Sequence, residues 1–81
     1  MTVSVNFCGL QRKLTCKEEM KIPLNNKTRV GDVLHYIKEC YPDLPLNEDV
    51  VLVMVNNQVT SLDQVLKTDD TISFIPHIGG G

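Results

Sequence analysis

Aromatic residues are scarce in this 81-residue chain, which contains no tryptophan, two tyrosines and two phenylalanines. Its core must therefore be built mainly from valine, isoleucine and leucine. A single domain of this length buries only about 60 to 65% of the surface that its unfolded chain exposes, so a deep, enclosed active-site cavity is not expected. The composition favours a compact sheet with a helix packed across it.

The chain also has no excess of positive charge, because it contains eight lysines and arginines and ten aspartates and glutamates, for a net charge of −2. Proteins that bind nucleic acid usually present a basic face to the phosphate backbone. No stretch approaches the ~20 apolar residues that span a bilayer, and the first residues do not have the pattern of a secretion signal. We therefore expect no nucleic-acid partner, no membrane partner and a cytoplasmic location.

Few side chains are arranged for chemistry. Cys8, Cys16 and Cys40 are odd in number and widely spaced, with no CxxC pair, which favours neither a disulfide framework nor a zinc site. Cys40 falls on the apolar stripe of a predicted helix and is expected to be a small buried hydrophobe. His35 and His77 are expected at the surface. No GxSxG, P-loop, HExxH or GxGxxG motif occurs, so we expect no catalysis by the chain alone.

Two strands are predicted in the N-terminal part of the chain. Residues 2–7 alternate between polar and apolar side chains, which is the pattern of a strand with one buried face. Residues 9–17 break this alternation and read as a loop. The alternation resumes over residues 20–24, where Pro23 cannot donate to a ladder and therefore indicates an edge strand or a strand end.

A helix is predicted between Thr28 and Pro42, where the apolar period lengthens. Its apolar stripe consists of Val30, Val33, Leu34, Ile37, Cys40 and Tyr41. Thr28 is the expected N-cap, and Asp32 places negative charge near the positive end of the helix dipole. Tyr41 should end the helix, because a residue that precedes proline is pushed out of the helical region.

The C-terminal half predicts shorter elements. Residues 50–56 form an apolar run typical of a central strand, and Asn56 and Asn57 suit a tight turn into a brief strand at 58–59. Residues 61–67 predict one or two helical turns. Residues 71–78 predict a last strand, whose alternation leaves Ile75 facing away from the core. Together these elements indicate an α+β fold of two layers.

The chain finishes on "FIPHIGGG", and its three final glycines are the most distinctive feature of the sequence. We expect residues 1–78 to form the domain and residues 79–81 a flexible tail. A chain extended from Ile78 to Gly81 reaches about 13 to 14 Å, and glycines can enter a slot too narrow for any Cβ atom. Activation of the Gly81 carboxylate, for example as an acyl adenylate made with ATP, would make the protein a macromolecular substrate. A frayed terminus without a role is the alternative.

The segments "FIPHIGGG", "TDDTI", "VMVNNQ" and "TRVGDVL" together resemble the ubiquitin-like β-grasp sulfur carriers of the MoaD/ThiS type, most closely molybdopterin synthase small subunits. The similarity runs along the whole chain. Phe7, Arg12 and Leu14 match the family's first strand and following loop, and Gly80 and Gly81 match its terminal pair. The resemblance implies an α+β fold with one main helix packed across a mixed sheet of order 2-1-5-3-4.

The resemblance also implies a reaction cycle in molybdenum cofactor biosynthesis. An E1-like adenylating enzyme of the MoaB/MoeB/ThiF type would use MgATP to form a glycyl adenylate on Gly81. A sulfurtransferase or cysteine desulfurase would then supply sulfur for a thiocarboxylate, and a larger MoaE-like synthase subunit would host its transfer to the molybdopterin precursor. In this cycle Ile78, Gly79 and Gly80 thread through the partner's active site, and the carrier itself binds no cofactor.

Val59, Ile75 and Arg12 align with the positions through which the family grips its partners, so we expect them to form the docking surface. The sequence departs from the family at three positions. Gly79 replaces a more usual small side chain, and His77 replaces a common second proline, which predicts a looser tail. Asp69 stands where a turn glycine is usual.

Other functions compete with the molybdopterin pathway. A thiamin-pathway (ThiS-like) carrier would use the same chemistry with a different acceptor. A ubiquitin-like protein modifier of the Urm1-like kind would instead join Gly81 to a target lysine. A passive interaction domain, with a tail that has no role, is a further alternative.

Overall fold

The computed structural model describes residues 1–47 and 51–75. The strands are β1 (Thr2–Asn6), β2 (Glu19–Pro23), β3 (Leu52–Val55), β4 (Gln58–Thr60) and β5 (Thr71–Ile75), and the helices are α1 (Leu10–Thr15) and α2 (Val30–Cys40). The predicted boundary between residues 78 and 79 lies outside the described residues.

The described strands form one sheet in the order β2-β1-β5-β3-β4, which confirms the predicted β-grasp order. The first and last strands, β1 and β5, pair in parallel at the centre of the sheet. The pairs β1–β2, β3–β5 and β3–β4 are antiparallel. Strand β2 lies at one edge and ends at Pro23, as expected for a residue that cannot donate to a ladder.

A mainly aliphatic core fills the space between α2 and one face of the sheet, which we call the inner face. Helix α2 buries four residues of its predicted stripe: Val30, Val33, Leu34 and Ile37. Val5, Ile72 and Phe74 meet them from the central strands and are no more than 1% exposed. The Phe7 ring contacts the Tyr41 ring edge-on, with 6.1 Å between centroids. The expected two-layer α+β fold is therefore confirmed.

The start of α2 is capped differently from the prediction. The Arg29 backbone N–H donates to Asp32 Oδ2 at 2.9 Å, which satisfies a donor at the start of the helix. The hydroxyl oxygen of Thr28 instead accepts from the Asn25 N–H at 3.0 Å, within the preceding turn. The prediction that Thr28 is the N-cap is therefore wrong, because its side chain stabilises the preceding turn and not the start of the helix. The predicted end of the helix at Tyr41 is confirmed.

The segment that was predicted to be a loop, residues 9–17, contains the short helix α1. Its two buried side chains are polar, namely Gln11 and Thr15, so the sequence shows no apolar period there. The Thr15 hydroxyl donates to the Gln11 carbonyl at 2.8 Å. Cys16 ends the helix in the left-handed conformation, with φ 60°, and its N–H donates to the Arg12 carbonyl.

Residues 61–67 were predicted to form helical turns, but the structure has no helix there. The carbonyl groups of Leu62 and Gln64 accept from the N–H groups of Gly31 and Val30, each at 2.9 Å. The segment contains one turn, in which the Gln64 N–H donates to the Ser61 carbonyl at 3.3 Å, and it pairs with the first turn of α2. Gly31 is not simply a surface glycine, because a Cβ atom at this position would lie 3.3 Å from the Leu62 carbonyl oxygen.

All three cysteines are exposed, so the prediction of a buried Cys40 is wrong. Cys40 is the last residue of α2, and its side-chain hydrogen bond to Tyr36 raises the pKa of that tyrosine. His35 is exposed, as expected, and its Nε2 atom lies 2.9 Å from Glu39 Oε1. No helix among the described residues is long and apolar enough to cross a membrane.

Positive φ angles shape two turns. Asn56 and Asn57 form the predicted two-residue turn between β3 and β4, with φ values of 51° and 68°. The Asn56 side chain also donates to Asp70 Oδ1 at 2.8 Å and accepts from the Thr71 N–H at 3.0 Å, which joins this turn to the start of β5. In the second turn, Asp69 has φ 68°, a backbone conformation that glycine adopts more readily than aspartate.

We predict opposite effects for two glycine substitutions in this turn. Asn57→Gly should raise the free energy of unfolding by about 0.5 kcal/mol, because glycine adopts positive φ more readily than asparagine. Asn56→Gly should lower it by about 1 to 2 kcal/mol, because two hydrogen bonds to the start of β5 are lost. Urea unfolding of both variants tests this, and a destabilised Asn57→Gly protein would contradict the role assigned to backbone conformation.

Candidate functional site

The face of the sheet that points away from α2, here called the outer face, carries a group of apolar side chains. The outer apolar patch consists of Leu52, Met54, Val59 and Ile75. Alternation places these side chains on the outer face, because the intervening Val53 and Phe74 are buried on the inner face. Cross-strand pairing joins Leu52 to Ile75 and Met54 to Val59, so the four residues form one continuous surface.

The patch is open to solvent. Val59 is 64% exposed and Leu52 is 43% exposed, while Met54 and Ile75 are half-buried. A single exposed apolar side chain is normal, but a continuous group on one face of so small a domain indicates a contact surface. The patch covers only the β3, β4 and β5 side of the outer face.

The rest of the outer face is polar. On the edge strand β2, Lys21 Nζ lies 3.9 Å from Glu19 Oε1 and donates to Ser4 Oγ of β1 at 3.4 Å. Ser73 of β5 lies between Met54 and Asn6 in the pairing register. The outer face is thus divided along β5, and the apolar half leads to Ile75 at the end of that strand.

The structure places the predicted docking residues Val59 and Ile75 on the same face, as their alternation indicated. It adds Leu52 and Met54, which the sequence reasoning missed. Both occur in a run that is apolar at every position from Val51 to Val55, so alternation of hydrophobicity could not show which side chains leave the core.

Arg12 belongs to a separate, mainly basic surface formed by α1 and the residues that follow it. Arg12, Lys13 and Lys17 are exposed and line one open depression together with the exposed Glu18. The neighbouring Gln11 contacts the Phe74 carbonyl of β5 through its side chain, so α1 is linked to the end of that strand. A mainly positive surface suits a partner with acidic residues.

The predicted tail residues Ile78, Gly79, Gly80 and Gly81, like His77, lie outside the described residues. Their threading role stays a prediction. The last described strand, β5, extends to Ile75, which pairs with Leu52 of β3. Six further residues follow in the sequence, with a maximum reach of about 20 Å.

Among residues 1–47 and 51–75, the buried polar side chains are Gln11 and Thr15, an amide and a hydroxyl. Both have hydrogen-bond partners. No group of three or more His, Cys, Asp or Glu residues in this part of the chain is arranged to hold a metal ion.

Comparison with known proteins gives consistent matches along the chain. The model of the ThiS family matches residues 5–81, which includes the terminal glycines. The molybdopterin synthase sulfur carrier subunit of Mycobacterium tuberculosis is 32% identical over 82 aligned residues, which cover 98% of this chain and 96% of that protein.

Solved structures agree with these matches. A putative molybdopterin converting factor subunit 1 from Pyrococcus furiosus superposes with a TM-score of 0.81 at 27% identity, covering 96% of this chain and 99% of that one. The complex of subunits 1 and 2 of the molybdopterin-converting factor from Helicobacter pylori contains a chain with a TM-score of 0.64 at 25% identity, with full coverage of both chains. Given its family match, its sheet order and these relatives, the chain belongs to the ThiS family of ubiquitin-like β-grasp sulfur carriers.

Proposed function

We propose that this protein carries sulfur as a thiocarboxylate on Gly81 and delivers it for molybdopterin synthesis. The observation that carries the proposal is that the family match extends through the terminal glycines, from residue 5 to residue 81. The named relatives support the pathway, since the Mycobacterium tuberculosis protein is a molybdopterin synthase sulfur carrier subunit. The outer apolar patch beside the end of β5 would hold a partner while the tail enters its active site.

The proposed chemistry takes place in two stages. In the first, a Gly81 carboxylate oxygen attacks the α-phosphate of ATP on the activating enzyme, and pyrophosphate leaves. In the second, the terminal sulfur of a protein persulfide attacks the acyl carbon, and AMP leaves. A thiol of the sulfur-donating machinery then attacks the protein sulfur of this acyl disulfide. The S–S bond breaks, the thiocarboxylate is released on Gly81, and the two protein sulfurs form a disulfide. The carrier contributes an unhindered acyl group and a surface that positions it.

Three partners follow from this cycle: an E1-like adenylating enzyme that uses MgATP, a sulfurtransferase or cysteine desulfurase, and a larger synthase subunit. The Helicobacter pylori complex, which joins subunits 1 and 2 of that organism's molybdopterin-converting factor, supports the last of these. The adenylating enzyme and the larger subunit must both receive the same tail. We therefore propose that they bind the outer apolar patch and Arg12 in turn, and not at the same time.

The first test is the intact mass of the protein from its native cells, compared with a Gly81 deletion. We expect a species in which one terminal oxygen is replaced by sulfur, and we expect the deletion to abolish it. The deletion should leave the thermal midpoint nearly unchanged, because an unpacked terminal residue contributes little to stability. Absence of the sulfur species in cells that are making molybdopterin would contradict the proposal.

The same preparation separates the alternatives. Lysine-linked adducts of Gly81 would point to a protein modifier, and transfer of sulfur to a thiamin-pathway acceptor, but not to a molybdopterin precursor, would point to a ThiS-like carrier. Reconstitution with a larger molybdopterin synthase subunit is the result expected for the proposed function.

A second prediction concerns the outer apolar patch. Val59→Asp should lower kcat/KM for activation by about tenfold or more, the effect of removing one interfacial anchor worth roughly 1.4 kcal/mol. Its thermal midpoint should change little, because Val59 is 64% exposed. Tyr36→Asp is the matched control, since Tyr36 is 43% exposed on α2, on the opposite side of the molecule. Equal losses in both variants would mean that the patch is not the docking surface.

A third prediction concerns Arg12. Arg12→Glu should lower kcat/KM severalfold at low salt, and the difference from wild type should shrink as the screening length falls from about 30 Å at 0.01 M to about 8 Å at 0.15 M. Lys27→Glu makes the same charge change in an exposed turn and serves as the control. A salt-independent defect in Arg12→Glu would argue against electrostatic docking at α1.

A further inference from the structure

The Gln11 side chain bridges two backbone groups, one just beyond the end of β1 and the other within β5. Gln11 is 2% exposed. Its Oε1 atom accepts from the Cys8 N–H at 3.1 Å, just beyond β1, and its Nε2 atom donates to the Phe74 carbonyl of β5 at 2.7 Å. Both hydrogen-bonding ends of one amide are therefore used between the N-terminal segment and the strand that leads to the tail.

These two backbone groups are the ones that the sheet would otherwise pair directly. Strands β1 and β5 run parallel with Ser4 opposite Thr71, and the Ser4 N–H donates to the Asp70 carbonyl at 2.9 Å. In a parallel ladder every second residue donates in this way to the residue before its partner. If this pattern continued four residues beyond Ser4 and Asp70, the Cys8 N–H would donate directly to the Phe74 carbonyl.

The Gln11 amide occupies the place of that backbone bond. A direct bond would hold the nitrogen and oxygen about 2.9 Å apart. With a carboxamide inserted, the two groups are bridged at 3.1 and 2.7 Å to its oxygen and nitrogen. The amide thus ends direct pairing of β1 with β5 while still satisfying both backbone groups, and β5 remains paired with β3 as far as Ile75.

We propose that Gln11 is a positioning residue that sets the backbone orientation at the end of β5, the strand that precedes the C-terminal glycines in the sequence. It does so by replacing the last rung between β1 and β5 and by fixing the Phe74 carbonyl, one residue before Ile75. This inference rests on the proposed function, because it concerns delivery of the Gly81 carboxylate to a partner. It goes beyond that function by assigning a role to a residue that is neither in the tail nor on the outer apolar patch.

Helix α1 supports Gln11 in this role. A six-residue helix is too short to be stable alone, so its contacts must hold it in place. The Thr15 hydroxyl donates to the Gln11 carbonyl at 2.8 Å and accepts from the Lys17 N–H at 3.2 Å, which fixes the end of the helix. Arg12 lies next to Gln11, so a partner that binds the basic surface of α1 contacts the element that holds the end of β5.

The test compares Gln11→Met with Thr28→Val in the full-length chain. Methionine matches glutamine in length and removes both hydrogen bonds, while Thr28→Val removes a hydrogen bond in the turn before α2 and alters no hydrogen bond of α1 or β5. With the adenylating enzyme and MgATP, Gln11→Met should lower kcat about tenfold or more, since small misplacements of a reacting group have effects of this size. Its KM should stay at the wild-type value, because the outer apolar patch is intact. Thr28→Val should keep the wild-type kcat.

Equal kcat losses in the two variants at equal losses of thermal midpoint would overturn the proposal and reduce Gln11 to a structural role. A Gln11→Met protein with wild-type kcat would overturn it too. If Gln11→Met does not fold, Gln11→Asn replaces it, because asparagine keeps the amide but is one methylene too short to bridge both strands. The same kcat and KM criteria then apply.

A measurement that does not depend on activation separates this inference from the proposed function. Residual dipolar couplings of the backbone amides report their orientations in solution. Gln11→Met or Gln11→Asn should reorient the Phe74 and Ile75 amides relative to β3, and Thr28→Val should not. If wild-type protein is never adenylated, the proposed function fails, while reoriented amides would still support control of the strand end by Gln11. Unchanged couplings would refute that control whatever the activity.

Discussion

The parallel pairing of β1 with β5 is the constraint on which the rest of the structure depends. It brings the first strand of the chain beside the last, at the centre of the sheet. Antiparallel pairing with β3 holds the other side of β5, and burial of Ile72 and Phe74 fixes its inner face beneath α2. The strand that precedes the C-terminal glycines is therefore paired on both sides and packed beneath the helix.

The sequence predicted those elements whose apolar residues recur with the period of a strand or a helix, and it failed where polar groups decide the structure. Helix α1 was missed because its buried positions are Gln11 and Thr15, which carry no hydrophobic signal. Residues 61–67 were predicted to form helical turns from their apolar spacing. That spacing gives no sign that carbonyl groups of this segment accept from the first turn of α2. The prediction that Cys40 is buried was wrong, because a residue in the last turn of a helix can be exposed even when it lies on the apolar stripe.

The candidate site was predictable in part for a similar reason. Alternation was sufficient to predict that Ile75 lies on the outer face, but it could not identify Leu52 or Met54 as outer-face residues within an uninterrupted apolar run. The order of the strands came from resemblance to a family, because pairing between residues about 70 positions apart leaves no local period in the sequence. The bridging role of Gln11 is visible only once β1, α1 and β5 are placed together in three dimensions.

The unequal edges of the sheet have a consequence for the protein before it meets a partner. An exposed strand edge can recruit the same edge of another molecule and begin aggregation. At one edge, β2 carries Lys21 and Glu19 and stops at Pro23, all of which discourage added strands. At the other, β4 is only three residues long, so it offers little backbone for an intruding strand beside the exposed Val59. Both edges therefore discourage self-association by strand addition, although the outer apolar patch beside β4 is open to solvent.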